Sequence, residues 1–445
     1  MKLVIIADYF APENLIAAIR PTKIAKYIKI NHPSTEIVVV TRKPQEILED
    51  PILKSDLIYC NQVHRIQHSF FFRAIESLQQ KIYAYQQKKK LQEIPKKKAS
   101  AKPLPNRFYQ ISEIFRSWDY ACKAKKFILK NINEIDIVLS TYGDHSTHWI
   151  AKKLKQKYPS TIWIADFRDP VFVPKLTAPF LFSFSKHYMD MVWKYSDYIT
   201  AISRGCLEML GDNAYQKPIQ IIPNGFDIDD IKDCTLTTDP RILQITYVGS
   251  LYNGQRSCSP LWKAIISLIN TGKISKAKIC FHYAGKDSSF MRQELEIYGL
   301  SDILNDHGYV SRDESIKLQK SSNLLVVLSW NDSSNKGVLT GKFLEYLMMN
   351  KTILAIVSGN TPNSAIKQVV NETSTGFCFE EAIKNIDQQK KLEEFILNEY
   401  LKALSKKNLS QVYDKRNATA IEKYNYSSIA ESFYAIMKNV QRKDT

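Results

Sequence analysis

The sequence predicts an α/β protein of two Rossmann-like domains. Three observations lead there. Short β-branched runs alternate with helix-patterned segments along both halves, the pattern of parallel sheets covered on two faces. A stretch rich in Pro, Gly, Asp and Thr, residues 223–239, separates the halves. At 445 residues the chain is also too long for one ordinary core, and roughly 200 residues suit each domain. The expected division is 1–223, 224–426 and a terminal segment, 427–445.

The first half opens with the strand Leu3–Ala7. The helix Ala18–Ile30 follows, with Ile19, Ile24, Tyr27 and Ile28 spaced for one buried face. Glu36–Thr41 is the second strand. Ile135–Ser140, Thr161–Ala165, Tyr198–Ser203 and Ile219–Ile222 are further strands, with helices at Thr147–Lys157 and Phe184–Tyr195. The second half repeats the alternation. Its strands are Gln244–Gly249, Lys278–Ala284, Asn323–Ser329 and Thr352–Val357. Its helices are Pro260–Asn270, Phe290–Tyr298 and Leu339–Met349.

Composition narrows the class. With 44% hydrophobic and 24% charged residues the chain is globular, and with only 14 glycines it is neither collagen-like nor linker-dominated. A net charge of +17 calls for an anionic partner, whether nucleic acid, an acidic membrane surface or phosphorylated substrates. The seven cysteines form no CxxC pair and read as reduced, mostly buried thiols. The run Leu3–Ala7 is too short for a secretory signal, and no stretch reaches the roughly 20 apolar residues of a spanning helix. Residues 81–107 fit neither half. They carry Lys81, Lys88, Lys89, Lys90, Lys96, Lys97, Lys98, Lys102 and Arg107 against Glu93 alone. They read either as a solvated insertion or as a polybasic patch for anionic headgroups, with Phe70–Phe72, Tyr83, Tyr85, Phe108 and Tyr109 as interfacial aromatics.

Candidate chemistry lies where strands end, because open α/β sheets bind ligands beyond their carboxyl ends. The loop from Asp8 to Asn14 leads into a helix whose Arg20 either reaches a phosphate or pairs on the surface. No G-x-G-x-x-G follows the first strand. In Thr141–Ser146, Gly143 permits a tight path and His145 sits at a strand end, as a structural or a catalytic histidine. In Asp166-Phe167-Arg168-Asp169, two acids flank an arginine. They form a self-satisfied ion cluster or contact acceptor hydroxyls, with Asp169 as a general base. In the second half, Gly249 opens a loop to Arg256, which is either an exposed arginine after a glycine turn or a diphosphate ligand. Thr340, Gly341 and Lys342 begin a helix whose Glu345 lies three residues beyond Lys342, on the same face. The pair is a plain surface ion pair, or it divides the work of a pyrophosphate cation and a ribose-diol acceptor. This is not a P-loop, since Gly337 and Gly341 are too close and Phe343 replaces the Ser/Thr that magnesium needs. No metal-ligand cluster is evident.

Taken in order, VIIADYFAPENLIAAIRPTKIAKYI, ADFRDP, SDYITAIS, IIPNGFD, YVGSLYNGQR, HYAGKD, HGYVSRDE and GVLTGKFLEYLMMNKTILAI resemble glycosyltransferase family 4 (group 1) enzymes of the GT-B fold. The resemblance runs nearly end to end and looks closest to bacterial enzymes building capsule, O-antigen or other surface polysaccharides. It implies two Rossmann-like domains facing across a cleft, and a final helix, about Ser427–Val440, crossing back to the first. It implies a nucleotide-sugar donor, UDP- or GDP-linked. Glu345 would hold the ribose, Arg256 and Lys342 the diphosphate, and Thr340, Gly341 and the Gly249 loop would assist. Tyr309, in His307–Val310, would lie near the base. His145, Arg168 and Asp169 would serve the acceptor and the chemistry. The resemblance implies retention of anomeric configuration with neither metal nor cofactor.

Two departures stand out. Gly337 occupies the place of the family's earlier glutamate, and Ser250 that of an arginine beside Gly249. The expected setting is the cytoplasm at the inner membrane face, with a saccharide or polyprenyl-linked acceptor and no nucleic acid. Rival readings are a nucleotide-sugar 2-epimerase of the same fold, a nucleic-acid-binding protein, and a degenerate transferase kept as an assembly partner.

Overall fold

The computed structural model describes residues 1–43, 49–73, 107–172, 177–213, 215–231, 241–252, 254–332, 339–405 and 416–441. The basic stretch 81–106, Asn253, Lys336 and Gly337 lie outside them. The chain forms two compact units, Met1–Pro223 with Tyr426–Thr445, and Asn224–Asn425.

The first unit is built on a wholly parallel sheet. Its strands are β1 (Lys2–Ala7), β2 (Glu36–Arg42), β3 (Gln62–Ile66), β4 (Ile137–Tyr142), β5 (Ile162–Phe167), β6 (Tyr198–Ala201) and β7 (Ile219–Ile221), ordered β3-β2-β1-β4-β5-β6-β7. Successive side chains of β1 enter opposite cores. Leu3 and Ile5 pack with the helix α1 (Ile16–Asn31), while Val4 and Ile6 pack on the other face with α2 (Arg107–Asn131) and α3 (His145–Lys157). That two-sided burial is why the strand reads as a continuous apolar run. The helix α4 (Phe182–Tyr195) adds Tyr188, Met189, Val192 and Trp193 to the second core. The strand expected to reach Ser203 stops at Ala201, because Ser203 turns to cap a short helix by accepting from the Cys206 N–H at 3.1 Å.

The second unit repeats the scheme with β8 (Leu243–Val248), β9 (Ile279–Ala284), β10 (Leu304–Gly308), β11 (Leu324–Trp330), β12 (Thr352–Ser358) and β13 (Gly376–Glu380). Their order is β10-β9-β8-β11-β12-β13, again all parallel. One face is covered by α5 (Ser259–Asn270), α6 (Ser288–Ile297) and α10 (Ile386–Leu404). The other is covered by α7 (Arg312–Lys320), α8 (Gly341–Met348) and α9 (Ala365–Thr373). The last helix, α11 (Tyr426–Gln441), belongs to the first unit. Its Ile429, Phe433, Ile436 and Met437 share a core with Leu3, Ile5 and Ile24, and the Tyr434 ring stacks on His32 with centroids 3.3 Å apart. No helix among the described residues is long and apolar enough to cross a membrane.

Candidate functional site

In each sheet the strand order reverses once, between β1 and β4 and between β8 and β11. A crevice forms at such a reversal, because the two flanking loops leave toward opposite faces. In both units the ionisable groups gather there.

In the first unit Asp8 follows β1 and Tyr142-Gly143-Asp144 close β4. The two ends approach because residue 143 lacks a side chain. A Cβ there would sit 3.0 Å from the Asp8 Cβ and 3.5 Å from an Arg168 nitrogen. Arg42, closing β2, places Nη2 3.4 Å from the Asp8 carboxylate and its guanidinium 5.0 Å over the Tyr9 ring. Arg168, just past β5, donates from Nε to the Tyr142 carbonyl at 2.9 Å. Asp144 caps α3 by accepting from the Ser146 N–H at 2.7 Å, and it also accepts from Ser117 of α2 at 2.9 Å.

Asp8 is only 3% exposed, and both its Oδ1 and Arg42 Nη1 are buried without a hydrogen-bond partner. Burial, and then the nearby Asp144, lift the Asp8 carboxyl to about 7, while Arg42, Arg116 and Arg168 pull the other way. A carboxyl poised near neutrality beside the unpartnered Arg42 Nη1 can accept or return a hydroxyl proton.

The predicted residues of this unit take different places. His145 opens α3 with its ring edge-on to Tyr188 and Phe184, centroids 4.7 and 5.1 Å away. Burial lowers it to about 4, so it is neutral, and its buried Nε2 has no partner. Arg168 joins the Asp8 cluster. The Asp169 side chain is 64% exposed, with its carboxylate 3.6 Å from Arg168 Nε. Arg20 is neither a phosphate ligand nor a surface residue. It is fully buried, gripping Asp166 at 2.8 and 2.9 Å and donating to the carbonyls of Ile222 and Pro223. Asp166 also accepts from Thr200 at 2.7 Å and so binds the sheet together, which removes it from the acceptor contacts expected around Arg168.

In the second unit Gly249 leaves β8 at φ +154°, and its carbonyl lies 2.2 Å from where a Cβ on Gly285 would stand. The loops after β8 and β9 therefore touch backbone to backbone. Asp287 fastens them by accepting from the Ser250 hydroxyl at 2.5 Å and the Leu251 N–H at 2.7 Å. The loop carries Arg256 inward. Its guanidinium lies 4.5 Å from the Tyr252 ring centroid and 4.3 Å from that of Trp330, which ends β11. Arg256 is 9% exposed, with its Nε unpartnered. Two aromatic faces hold the cation in place and leave N–H donors for an anion. The sequence placed Arg256 here but missed both rings. Trp330 falls one residue past the expected strand, and Tyr252 is an ordinary loop residue until the fold brings β11 alongside β8.

Thr340 caps α8 by accepting from the Phe343 N–H at 3.3 Å, and among the described residues nothing lies within 4 Å of where a Cβ on Gly341 would stand. The first amides of a helix have no intrahelical acceptor, so they suit an anion. Lys342 Nζ lies 3.2 Å from the Glu345 carboxylate, which also accepts from Gln319 of α7 at 2.5 Å. The ion pair weighed from the sequence is thus formed. Tyr309 is 73% exposed under the Lys286 ammonium, 4.7 Å from its centroid. His307 Nε2 meets His282 Nδ1 at 2.9 Å.

No protein-family model matches the chain, and no curated protein does either. Solved structures do. A sucrose-phosphate synthase from Thermosynechococcus elongatus is 13% identical with a TM-score of 0.56, covering 100% of both chains. The lipopolysaccharide outer core galactosyltransferase WaaB is 13% identical with a TM-score of 0.54, over 96% of this chain and 98% of that one. The UDP-GlcNAc 2-epimerase of Methanocaldococcus jannaschii is 11% identical with a TM-score of 0.50, over 99% and 100%. At such identities the likeness defines the fold: two parallel-sheet units of the GT-B class. Transferases and an epimerase share it, so the activity has to be argued from the site.

Proposed function

We propose that this chain is a glycosyltransferase that takes a sugar from a nucleotide-sugar donor, UDP- or GDP-linked, held by the second unit. The observation that carries the reading is Arg256, clamped between Tyr252 and Trp330 at the strand reversal with an unsatisfied Nε. Departure of a nucleoside diphosphate needs preorganised positive potential. Arg256, Lys342 and the amides at Gly341 and Lys342 supply it. When the diphosphate takes Lys342, Glu345 is released to accept from the ribose diol. Thr340 and the Gly249 loop shape the phosphate end, and Tyr309 lies toward the base.

In the first unit the acceptor hydroxyl meets Asp8, Arg42 and Arg168, with His145 and Asp169 beside them. The resemblance supports retention without a metal. The shared fold of a lipopolysaccharide galactosyltransferase supports a place among enzymes of surface polysaccharides, and the +17 charge supports a polyprenyl-linked acceptor at the inner membrane face. Calorimetry with UDP and GDP tests the donor site. Wild-type affinity in Arg256→Ala would reject it.

One observation favours a second reading, 2-epimerisation of the nucleotide sugar. A carboxyl near 7, such as Asp8, also suits proton removal from carbon. Turnover of a nucleotide sugar without any acceptor would establish that reaction instead.

A further inference from the structure

The helix α2 carries a stripe it does not bury. Ile111, Phe115 and Trp118, at i, i+4 and i+7, are 36%, 58% and 59% exposed. Neighbouring elements extend the stripe at each end. Gln110 accepts from the Ala178 N–H at 2.9 Å, which brings the exposed Phe180 and Phe182 to the helix start. Asp119 accepts from the Ser69 N–H at 2.8 Å, which brings Phe70 and Phe71, 79% and 66% exposed, to its middle. A soluble surface scatters large apolar side chains singly, and a contiguous group at helical spacing marks a contact face.

The charge around the stripe selects the occupant. Both acids of α2 are engaged, Glu113 with Arg116 and Asp119 with Ser69 and His68. Beyond Trp118 the exposed charges of the helix are Lys123, Lys126 and Lys130. Lys186 is exposed one turn past Phe182, with Asp190 exposed one turn beyond it. A protein partner of such a face would need a large acidic surface with an apolar centre. An anionic bilayer presents that combination along its whole interface, where aromatic rings settle at headgroup depth and lysines meet phosphates.

We infer that the Ile111–Phe115–Trp118 face of α2, with Phe70, Phe71 and Phe182, seats the first unit in the interfacial layer of an anionic bilayer. The inference rests on the membrane setting proposed above and assigns it a surface. Insertion is shallow, because the stripe is one side of a helix whose opposite side holds Tyr120, Ala124 and Ile128 in the core.

The full chain is floated with vesicles of phosphatidylglycerol and phosphatidylcholine in equal parts, and with phosphatidylcholine alone. Binding is expected to the first and to fall about tenfold on the second. Phe115→Ser with Trp118→Ser should lower binding to the mixed vesicles at least about tenfold with an unchanged melting temperature, since neither residue is in the core. Trp118 emission should move to shorter wavelength on binding, and Trp118→Phe should abolish that movement while keeping the binding.

Vesicle binding unchanged in the double variant overturns the inference. So does a dimer that the double variant dissociates in the absence of vesicles, which would make a second copy the occupant. Nucleoside-diphosphate binding measured on the same preparations separates the two proposals. Nucleotide binding without vesicle binding rejects this surface alone, and vesicle binding without nucleotide binding rejects the transferase and keeps the surface.

Discussion

Replacing Asp8 with Asn should change how stability depends on pH. The carboxyl has an ordinary value of 3.8 and is lifted to about 7 in the folded chain, chiefly by burial. A carboxyl raised on folding binds its proton more tightly in the native state. The Asp8 contribution to native stability is therefore greatest below 3.8, falls as pH rises from there, and levels off above 7. At about 1.36 kcal/mol per pH unit, that interval costs about 4 kcal/mol by pH 8. Asn keeps the shape and cannot ionise, so the variant escapes the loss. Urea unfolding followed by circular dichroism at pH 5 and pH 8 is the assay, with the midpoint of the first unit compared in both proteins. Asp8→Asn should be the more stable by a few kcal/mol at pH 8, with the gap shrinking toward pH 5. Parallel curves would refute the reasoning, because they would mean that Arg42, Arg116 and Arg168 keep the carboxylate charged throughout. The same variant should lose most turnover, since the site would give up stability to hold an ionisable group.

Arg256→Ala should lower affinity for a nucleoside diphosphate by about 2–3 kcal/mol in calorimetry, the scale of a charge-assisted contact. Glu345→Ala should abolish binding of the donor nucleotide, which titration with UDP and GDP would show against the wild type. Arg20→Met should destabilise the first unit by about 3–5 kcal/mol in denaturant titration, since Asp166 stays buried without its cation. Gly285→Ala should lower the melting temperature and weaken nucleotide binding together, because the new methyl would stand 2.2 Å from the Gly249 carbonyl.

The sequence revealed the strands that are buried on both faces and, of the four at the margins, only Ile219–Ile221. Leu324–Trp330 and Thr352–Ser358 are continuous apolar runs with neighbours on each side. Gln62–Ile66, Leu304–Gly308 and Gly376–Glu380 sit at sheet edges, where one side meets solvent and QVHRI or LNDHG looks like loop. For the site, residues just past strand ends were legible because their position follows from local pattern. Arg42 and Trp330, each one residue past an expected strand, and Tyr252 in a loop were not, since their significance depends on which strands become neighbours. Arg20 misled for a related reason. Its partner Asp166 is 146 residues away, and no local signal announces so distant a pairing.

The helix Tyr426–Gln441 has a consequence for the order in which the chain can mature. It supplies Tyr426, Ile429, Phe433 and Met437 to a core begun by Leu3 and Ile5. During synthesis the first unit must wait, with one side of its sheet covered only in part by α1, until residues 426–437 have emerged behind the second unit, whereas the second unit is by then already made. A premature stop near residue 425 would therefore injure the first unit and spare the second.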